Sequence, residues 1–204
     1  DADIAAKLEP IEHAYGVRCV YGTRVFRDSV DPDRFAEAEV LLFDLAHANR
    51  EHVDGFKANL FESFGIQSHA FDHNDDYQQW VRLAKPAYAA LVALTHQDEL
   101  PGVLISHEYM GMPAALAAAL DRAGRFRTLF HGHECSTARH VVEHHPGRDA
   151  AFYPAMRRAL EEGRDIEETF GPQHHNYRHQ LVSRACALDG IIAVGDDTAD
   201  ELRF

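Results

Sequence analysis

The residues best suited to chemistry in this chain lie in one short segment that follows an apolar run. The segment reads His131-Gly132-His133-Glu134, and Arg139 follows a little further along. Residues two apart on a β-strand point to the same side, so His131 and His133 share one face where the strand ends. Ligands of open parallel α/β sheets bind outside the carboxyl ends of the strands. Two imidazoles, a carboxylate and a guanidinium at such an edge predict a site for a polar small molecule.

Two chemistries fit this segment. A His-x-His pair on a strand can supply two metal ligands, and a third would come from Glu134 or His140. The sequence contains neither an H-E-x-x-H motif nor paired C-x-x-C motifs that would strengthen the metal hypothesis. In the metal-free alternative, one histidine contacts a substrate group and Arg139 holds an anion near a helix N-terminus. The residues alone leave both open.

A second polar group, His107-Glu108-Tyr109, follows another short apolar strand. His107 and Glu108 could hydrogen-bond ligand hydroxyls; alternatively, Glu108 caps a helix and the histidine is a buried, satisfied core residue. Residues 173–184 are rich in His and Arg and are predicted to be the solvated face of a helix. Asp197 is predicted to cap the last helix, with Asp200 or Glu201 as its capping partner.

These groups must be positioned by strands that alternate with helices. A near-continuous apolar run at residues 39–45 is typical of a buried parallel strand. Residues 31–33, which include Pro32, are predicted to form a turn or the start of a helix. The alternation favours an α/β fold with a doubly wound, mostly parallel sheet. Strands are predicted at residues 17–21, 39–45, 103–106, 127–131 and 190–194. Helices are predicted at residues 1–15, 49–64, 74–96 with a kink or break at Pro86, 113–122, 149–162 and 172–188.

Composition narrows the class of protein. The chain has 204 residues, 46% of them hydrophobic, which is enough for one domain with a substantial core. A formal net charge of −13 argues against nucleic acid as a partner, because phosphate backbones are bound by basic surfaces. Three widely spaced cysteines favour a reducing, cytoplasmic compartment, and we expect no membrane span. The oligomeric state stays open, a homo-oligomer included.

Several short motifs, taken in order, resemble the glycogen synthase family, particularly its animal and fungal branch. Residues 133–139 are similar to the family's H-A-T-L-L-G-R, with the same spacing from His to Arg, and residues 107–109 are similar to its H-E-W. The resemblance covers about residues 39–204. The other matching segments are residues 40–44, 56–61, 152–153, 177–179, 184–185, 192–194 and 201–202. The chain departs from the family at Met110 and Met112, and Glu134 replaces a small residue beside the key histidine.

The resemblance implies a retaining GT-B glycosyltransferase that moves glucose from a nucleotide sugar, such as UDP-glucose or ADP-glucose, to a glucan or other carbohydrate acceptor. It implies no cofactor and no metal. By that analogy His133 and Arg139 are catalytic: His133 hydrogen-bonds the donor sugar through its backbone or ring, and Arg139 stabilises negative charge near the diphosphate or an anionic effector. His107, Glu108, Tyr109 and Glu134 would bind substrate, with His107 and Glu108 on the acceptor side.

The resemblance also implies a domain organisation. We expect residues 1–204 to form a single Rossmann-like N-terminal domain, with the C-terminal nucleotide-binding domain outside this chain, and we expect no transfer by the chain alone. Two alternatives stay open: a metal-dependent hydrolase that uses His131 and His133, and a non-catalytic carbohydrate-binding domain.

Overall fold

The computed structural model describes residues 2–31 and 33–204, which form nine α-helices and five strands. The strands are β1 (Arg18–Arg27), β2 (Phe35–Asp44), β3 (Gly102–His107), β4 (Phe126–Gly132) and β5 (Gly190–Ala193). The helices are α1 (Ala2–Tyr15), α2 (Arg50–Phe64), α3 (Asp75–Leu94), α4 (Glu108–Ala119), α5 (Ser136–His144), α6 (Arg148–Glu161), α7 (Ile166–Phe170), α8 (Tyr177–Val182) and α9 (Asp196–Arg203).

The fold is α/β and contains two sheets. Strands β3, β4 and β5 form a parallel sheet in that order, and β1 pairs with β2 as an antiparallel hairpin. In the parallel sheet Gly102 is paired with Phe126 and His107 with His131. The shorter β5 pairs only with the last part of β4, from Leu129 onward. The carboxyl ends of all three parallel strands therefore lie at one edge, as the alternation of strands and helices predicts.

Local signals in the sequence set several helix ends. The side chain of Asn49 accepts a hydrogen bond from the amide of Glu51 and caps α2, and Gly65 ends that helix with a left-handed φ of 69°. Asn74 caps α3 in the same way by accepting from Tyr77. Both ends of α2 and the start of α3 were predicted, because capping depends on residues adjacent in sequence. Helix α3 runs through Pro86 as one continuous helix, so the predicted break is wrong.

The prediction of a buried parallel strand at residues 39–45 is wrong. This run belongs to β2, which is antiparallel to β1 and mostly exposed. Asp31 and Asp33 lie between the two strands and belong to no helix, and Pro32 lies outside the described residues. An apolar run by itself does not distinguish a central parallel strand from a hairpin strand.

Other boundaries differ at the end of the chain. Residues 172–188 form the short helix α8 and a 3₁₀ turn (Ala185–Ala187) rather than one helix. Gly195, not Asp197, is the N-cap of α9. Helix α4 begins at Glu108, five residues before the predicted start.

The apolar core lies on one face of the parallel sheet. Phe130 of β4 is fully buried there, in a cluster with Met112 and Leu116 of α4 and Leu181 of α8. On the opposite face Val103 is 60% and Ile105 is 49% exposed. His107 and His131 lie on this opposite, open face, because they continue its alternate positions on β3 and β4.

No helix in the described part of the chain has the length and apolar character needed to cross a bilayer.

Phe130 offers a test of this packing. Phe130→Ala should lower the free energy of unfolding by about 3–5 kcal/mol, because it removes a fully buried ring and leaves a cavity. Phe61→Ala is the matched control: Phe61 is 58% exposed on α2, and its loss should cost within about 0.5 kcal/mol. Urea denaturation of the three proteins measures both effects. If Phe130→Ala and Phe61→Ala lowered the free energy of unfolding equally, Phe130 would not belong to the core.

Candidate functional site

Three histidine side chains meet at the carboxyl edge of the parallel sheet. His107 ends β3 and is paired in register with His131 of β4, and His133 lies two residues further on. The ring of His131 lies 4.9 Å from that of His107 and 4.4 Å from that of His133, centroid to centroid. The Nδ1 of His107 is 3.3 Å from the Nε2 of His133. His107 and His133 are exposed and His131 is half-buried. We name these three residues the histidine cluster.

The histidine cluster has the composition of a metal site. Each imidazole offers one nitrogen, and the three nitrogens lie within 4.8 Å of one another. The third residue beside His131 and His133 is His107, and not Glu134 or His140, which the sequence suggested as a third ligand. Glu134 lies 3.6 Å from the guanidinium of Arg139, and the ring of His140 lies 4.4 Å from that of His144, centroid to centroid.

Glu108 connects the two strand ends that carry the cluster. Its side chain is buried, and its Oε1 accepts hydrogen bonds from the backbone amides of His133 and of Glu134, the latter at 3.1 Å. Its backbone has a φ of 55°, an uncommon conformation for a residue with a β-carbon. Glu108 therefore fixes the loop after β4, and its carboxylate faces that loop rather than open solvent. The alternative raised by the sequence, in which Glu108 caps a helix beside a buried histidine, is wrong: the carboxylate binds amides of a loop, and His107 is exposed.

A cavity of about 330 Å³ adjoins the histidine cluster. It brings together three of the predicted site residues, His133, Glu134 and Arg139, and does not include the other three. Tyr109 instead packs under the guanidinium of Arg178, at 4.7 Å from ring centroid to Cζ. The remaining lining residues are Cys135, Val142, Asp149, Tyr153, Asp197, Thr198 and Glu201.

Carboxylates dominate the charge of this cavity. Glu134, Asp149, Asp197 and Glu201 face a single guanidinium, that of Arg139. Arg139 is also already close to Glu134, at 3.6 Å. With four carboxylates and one guanidinium, the lining is net negative and rich in hydrogen-bond acceptors, which favours a neutral ligand rich in hydroxyl groups over an anion.

One hydrogen-bonded pair, Tyr153 and Glu201, forms part of the cavity wall. The hydroxyl of Tyr153 donates to Oε1 of Glu201 at 2.8 Å, and the other oxygen of Glu201 accepts from the amide of Cys135 at 3.3 Å. The bond to the Glu201 carboxylate raises the pKa of Tyr153 to about 12. The phenol therefore stays protonated at neutral pH, and Glu201 links helices α6 and α9 to the loop after β4.

Residues 173–184 are not the solvated helix face that the sequence predicted. Arg184 donates from Nε to the backbone oxygen of Phe64 at 2.5 Å, and His179 lies 3.2 Å from the hydroxyl of Thr137. Burial lowers the pKa of His179. These polar residues hold α8 against the rest of the fold, and they do not line the cavity beside His133.

Seven of the ten cavity-lining residues were not predicted as site residues, among them Tyr153, Asp197, Thr198 and Glu201. Tyr153 and Glu201 fell within matching segments of the family resemblance but received no role. Asp197 was assigned only to helix capping. Their proximity to His133 depends on how α6 and α9 pack, which no local pattern shows.

No protein-family model and no curated protein sequence matches the chain. The chemistry of the site therefore rests on its own residues and geometry.

Glu108 is expected to position His133 through the backbone. Glu108→Ala should lower the free energy of unfolding by about 1–3 kcal/mol, since it leaves two amide donors without their acceptor. Glu108→Gly removes the same carboxylate but relaxes the backbone at φ 55°, so it should destabilise less. Denaturation gives the stabilities, and amide hydrogen exchange at His133 and Glu134 should accelerate in both variants. Unchanged exchange would remove Glu108 from this role.

Proposed function

We propose that this chain is the N-terminal domain of a retaining glycosyltransferase resembling glycogen synthase. It would act in the transfer of glucose from a nucleotide sugar, such as UDP-glucose or ADP-glucose, to a glucan or other sugar acceptor. One observation carries the proposal: His133, Glu134 and Arg139 converge on a polar cavity at the carboxyl edge of a parallel sheet. That edge is where open α/β sheets bind their ligands.

The cavity suits a sugar. Hydroxyl groups of glucose both donate and accept, so they can pair with the carboxylates of Asp197 and Glu201 and with the ring of His133. In this proposal His133 bonds a hydroxyl of the transferred glucose. His107, 3.3 Å away, supports that ring from the side of β3.

Arg139 has the second role. Negative charge develops on the leaving diphosphate during transfer, and a fixed guanidinium nearby stabilises it. Since the carboxylate of Glu134 lies 3.6 Å from the guanidinium of Arg139, the diphosphate must compete with that carboxylate for Arg139. Glu134 thus lowers the affinity of this domain for the nucleotide, and most nucleotide contacts would come from a second domain of the whole protein.

Two further features belong to the proposal, and one alternative to it stays open. The parallel sheet would be part of a doubly wound, Rossmann-like sheet, with the open face of Val103 and Ile105 covered in the whole protein. The free cysteines support a cytoplasmic location. A non-catalytic carbohydrate-binding domain would keep the same hydroxyl contacts without transfer.

The sugar contact can be tested directly. We expect maltohexaose, a short glucan, to bind the folded chain saturably, and His133→Ala to weaken binding about two- to tenfold, the effect of one lost hydrogen bond. Chemical-shift titration of the amides of Cys135 and Thr198, in the cavity wall, gives the affinity. His13→Ala, an exposed histidine on α1, is the matched control and should bind as the unchanged chain does. Failure of maltohexaose to shift the cavity amides would refute the sugar contact.

The competition between Glu134 and the diphosphate gives a second prediction. Glu134→Gln should strengthen UDP binding roughly two- to fivefold, because it frees Arg139 and removes one carboxylate. Calorimetric titration measures the change, and adding Arg139→Ala should abolish it.

Glu162→Gln is the control for that experiment. It breaks another surface pair, with Arg164 at 2.5 Å, and should leave UDP affinity unchanged. If Glu134→Gln and Glu162→Gln have the same effect, Arg139 does not face the diphosphate.

A further inference from the structure

We propose that His107, His131 and His133 form a binding site for one divalent transition-metal ion, with Zn²⁺ as the best match. This proposal concerns the histidine cluster alone. It does not rest on sugar transfer, and the family resemblance implies no metal.

The pairing of two parallel strands creates the site. Adjacent strands lie about 4.7–4.9 Å apart, so two residues paired in register on one face hold their side chains side by side. His107 and His131 are such a pair. His133 continues the same face of β4 two residues later, at the point where the strand ends. Three imidazoles therefore converge from two backbone segments that the sheet holds rigidly.

The distances fit tetrahedral coordination. Two nitrogens that each lie about 2.0–2.1 Å from a shared tetrahedral ion are about 3.3–3.4 Å apart. The Nδ1 of His107 and the Nε2 of His133 are 3.3 Å apart. All three ligand nitrogens lie within 4.8 Å of one another. Coordination by all three would require the His131 ring to turn toward the other two.

The cluster has no competing structural task. Apart from the contact between His107 and His133, none of the three rings takes part in a side-chain hydrogen bond within the described part of the chain. The imidazole rings of the cluster pack with ring centroids 4.4–5.6 Å apart. A bound cation would give all three nitrogens a partner.

The ligand type selects the class of ion. Three imidazole nitrogens suit Zn²⁺, Cu²⁺, Ni²⁺ or Co²⁺, whereas Ca²⁺ and Mg²⁺ take oxygen ligands. Because His107 and His133 are exposed, the ion can enter from solvent. Three protein ligands leave a fourth position for water, as in zinc sites that are not purely structural.

Zinc binding to the purified chain, free of any histidine tag and without sugar or nucleotide, tests the proposal. Competition with a chromogenic chelator should show one tightly bound Zn²⁺ per chain. Co²⁺ should bind in its place and give the strong visible absorption of a four-coordinate ion. His107→Ala should weaken Zn²⁺ binding at least about tenfold, since the loss of even an outer partner of a metal ligand costs that much. His133→Ala should do the same.

The matched control removes another pair of neighbouring histidines. His140 and His144 are neighbours on α5 with ring centroids 4.4 Å apart, and the double variant His140→Gln/His144→Gln should keep full Zn²⁺ affinity. Circular dichroism confirms that each variant is folded; if His107→Ala is not, His107→Gln replaces it. The proposal is overturned if Zn²⁺ binds weakly and without defined stoichiometry. It is equally overturned if binding survives the loss of His107 and is abolished in the α5 double variant. Because sugar is absent throughout, failure here leaves the glycosyltransferase proposal standing.

Discussion

The parallel pairing of β3 with β4 is the contact on which the functional edge of this protein depends. Its register sets His107 beside His131 on the open face and Ser106 beside Phe130 on the buried face. A shift of one residue would exchange the two faces, and Phe130 would be exposed while the histidines entered the core. The fully buried ring of Phe130 therefore fixes the register that brings the imidazoles together. The register of β3 with β4 therefore determines both the packing of the core and the geometry of the site.

Glu108 connects the ends of these two strands. The residue stands where β3 passes into α4, and its carboxylate binds the amides of the loop that follows β4. A left-handed backbone at a residue with a β-carbon is unfavourable, and the two hydrogen bonds offset that cost. This loop carries His133 and Glu134. Glu108, a buried residue that does not line the cavity, therefore sets the direction from which both side chains enter the site.

The charge around the site limits its chemistry. Carboxylates on the loop after β4 and on helices α6 and α9 surround a single arginine in the cavity. Hydroxyl groups and metal cations are compatible with such surroundings, whereas a diphosphate must displace Glu134 from Arg139. The sugar site and the metal site that we propose share His133, so the two ligands would compete for one imidazole.

The sequence by itself determined the features that depend on neighbouring residues. Asn49 begins α2 and Gly65 ends it, because each makes hydrogen bonds to residues only a few positions away. The His-x-His spacing placed His131 and His133 on one face of a strand. The parallel strands β3, β4 and β5 and the edge at which they end were also predictable, since short apolar runs alternate there with helices.

Only the tertiary structure decided which distant residues join the site. His107 entered the histidine cluster in place of Glu134 or His140 because strand pairing, not spacing along the chain, sets that distance. Tyr153 and Glu201 reached the cavity through the packing of α6 and α9. The apolar run at residues 39–45 became a hairpin strand for the same reason. Its composition fits either a central or an edge position, and the pairing with β1 fixed the outcome.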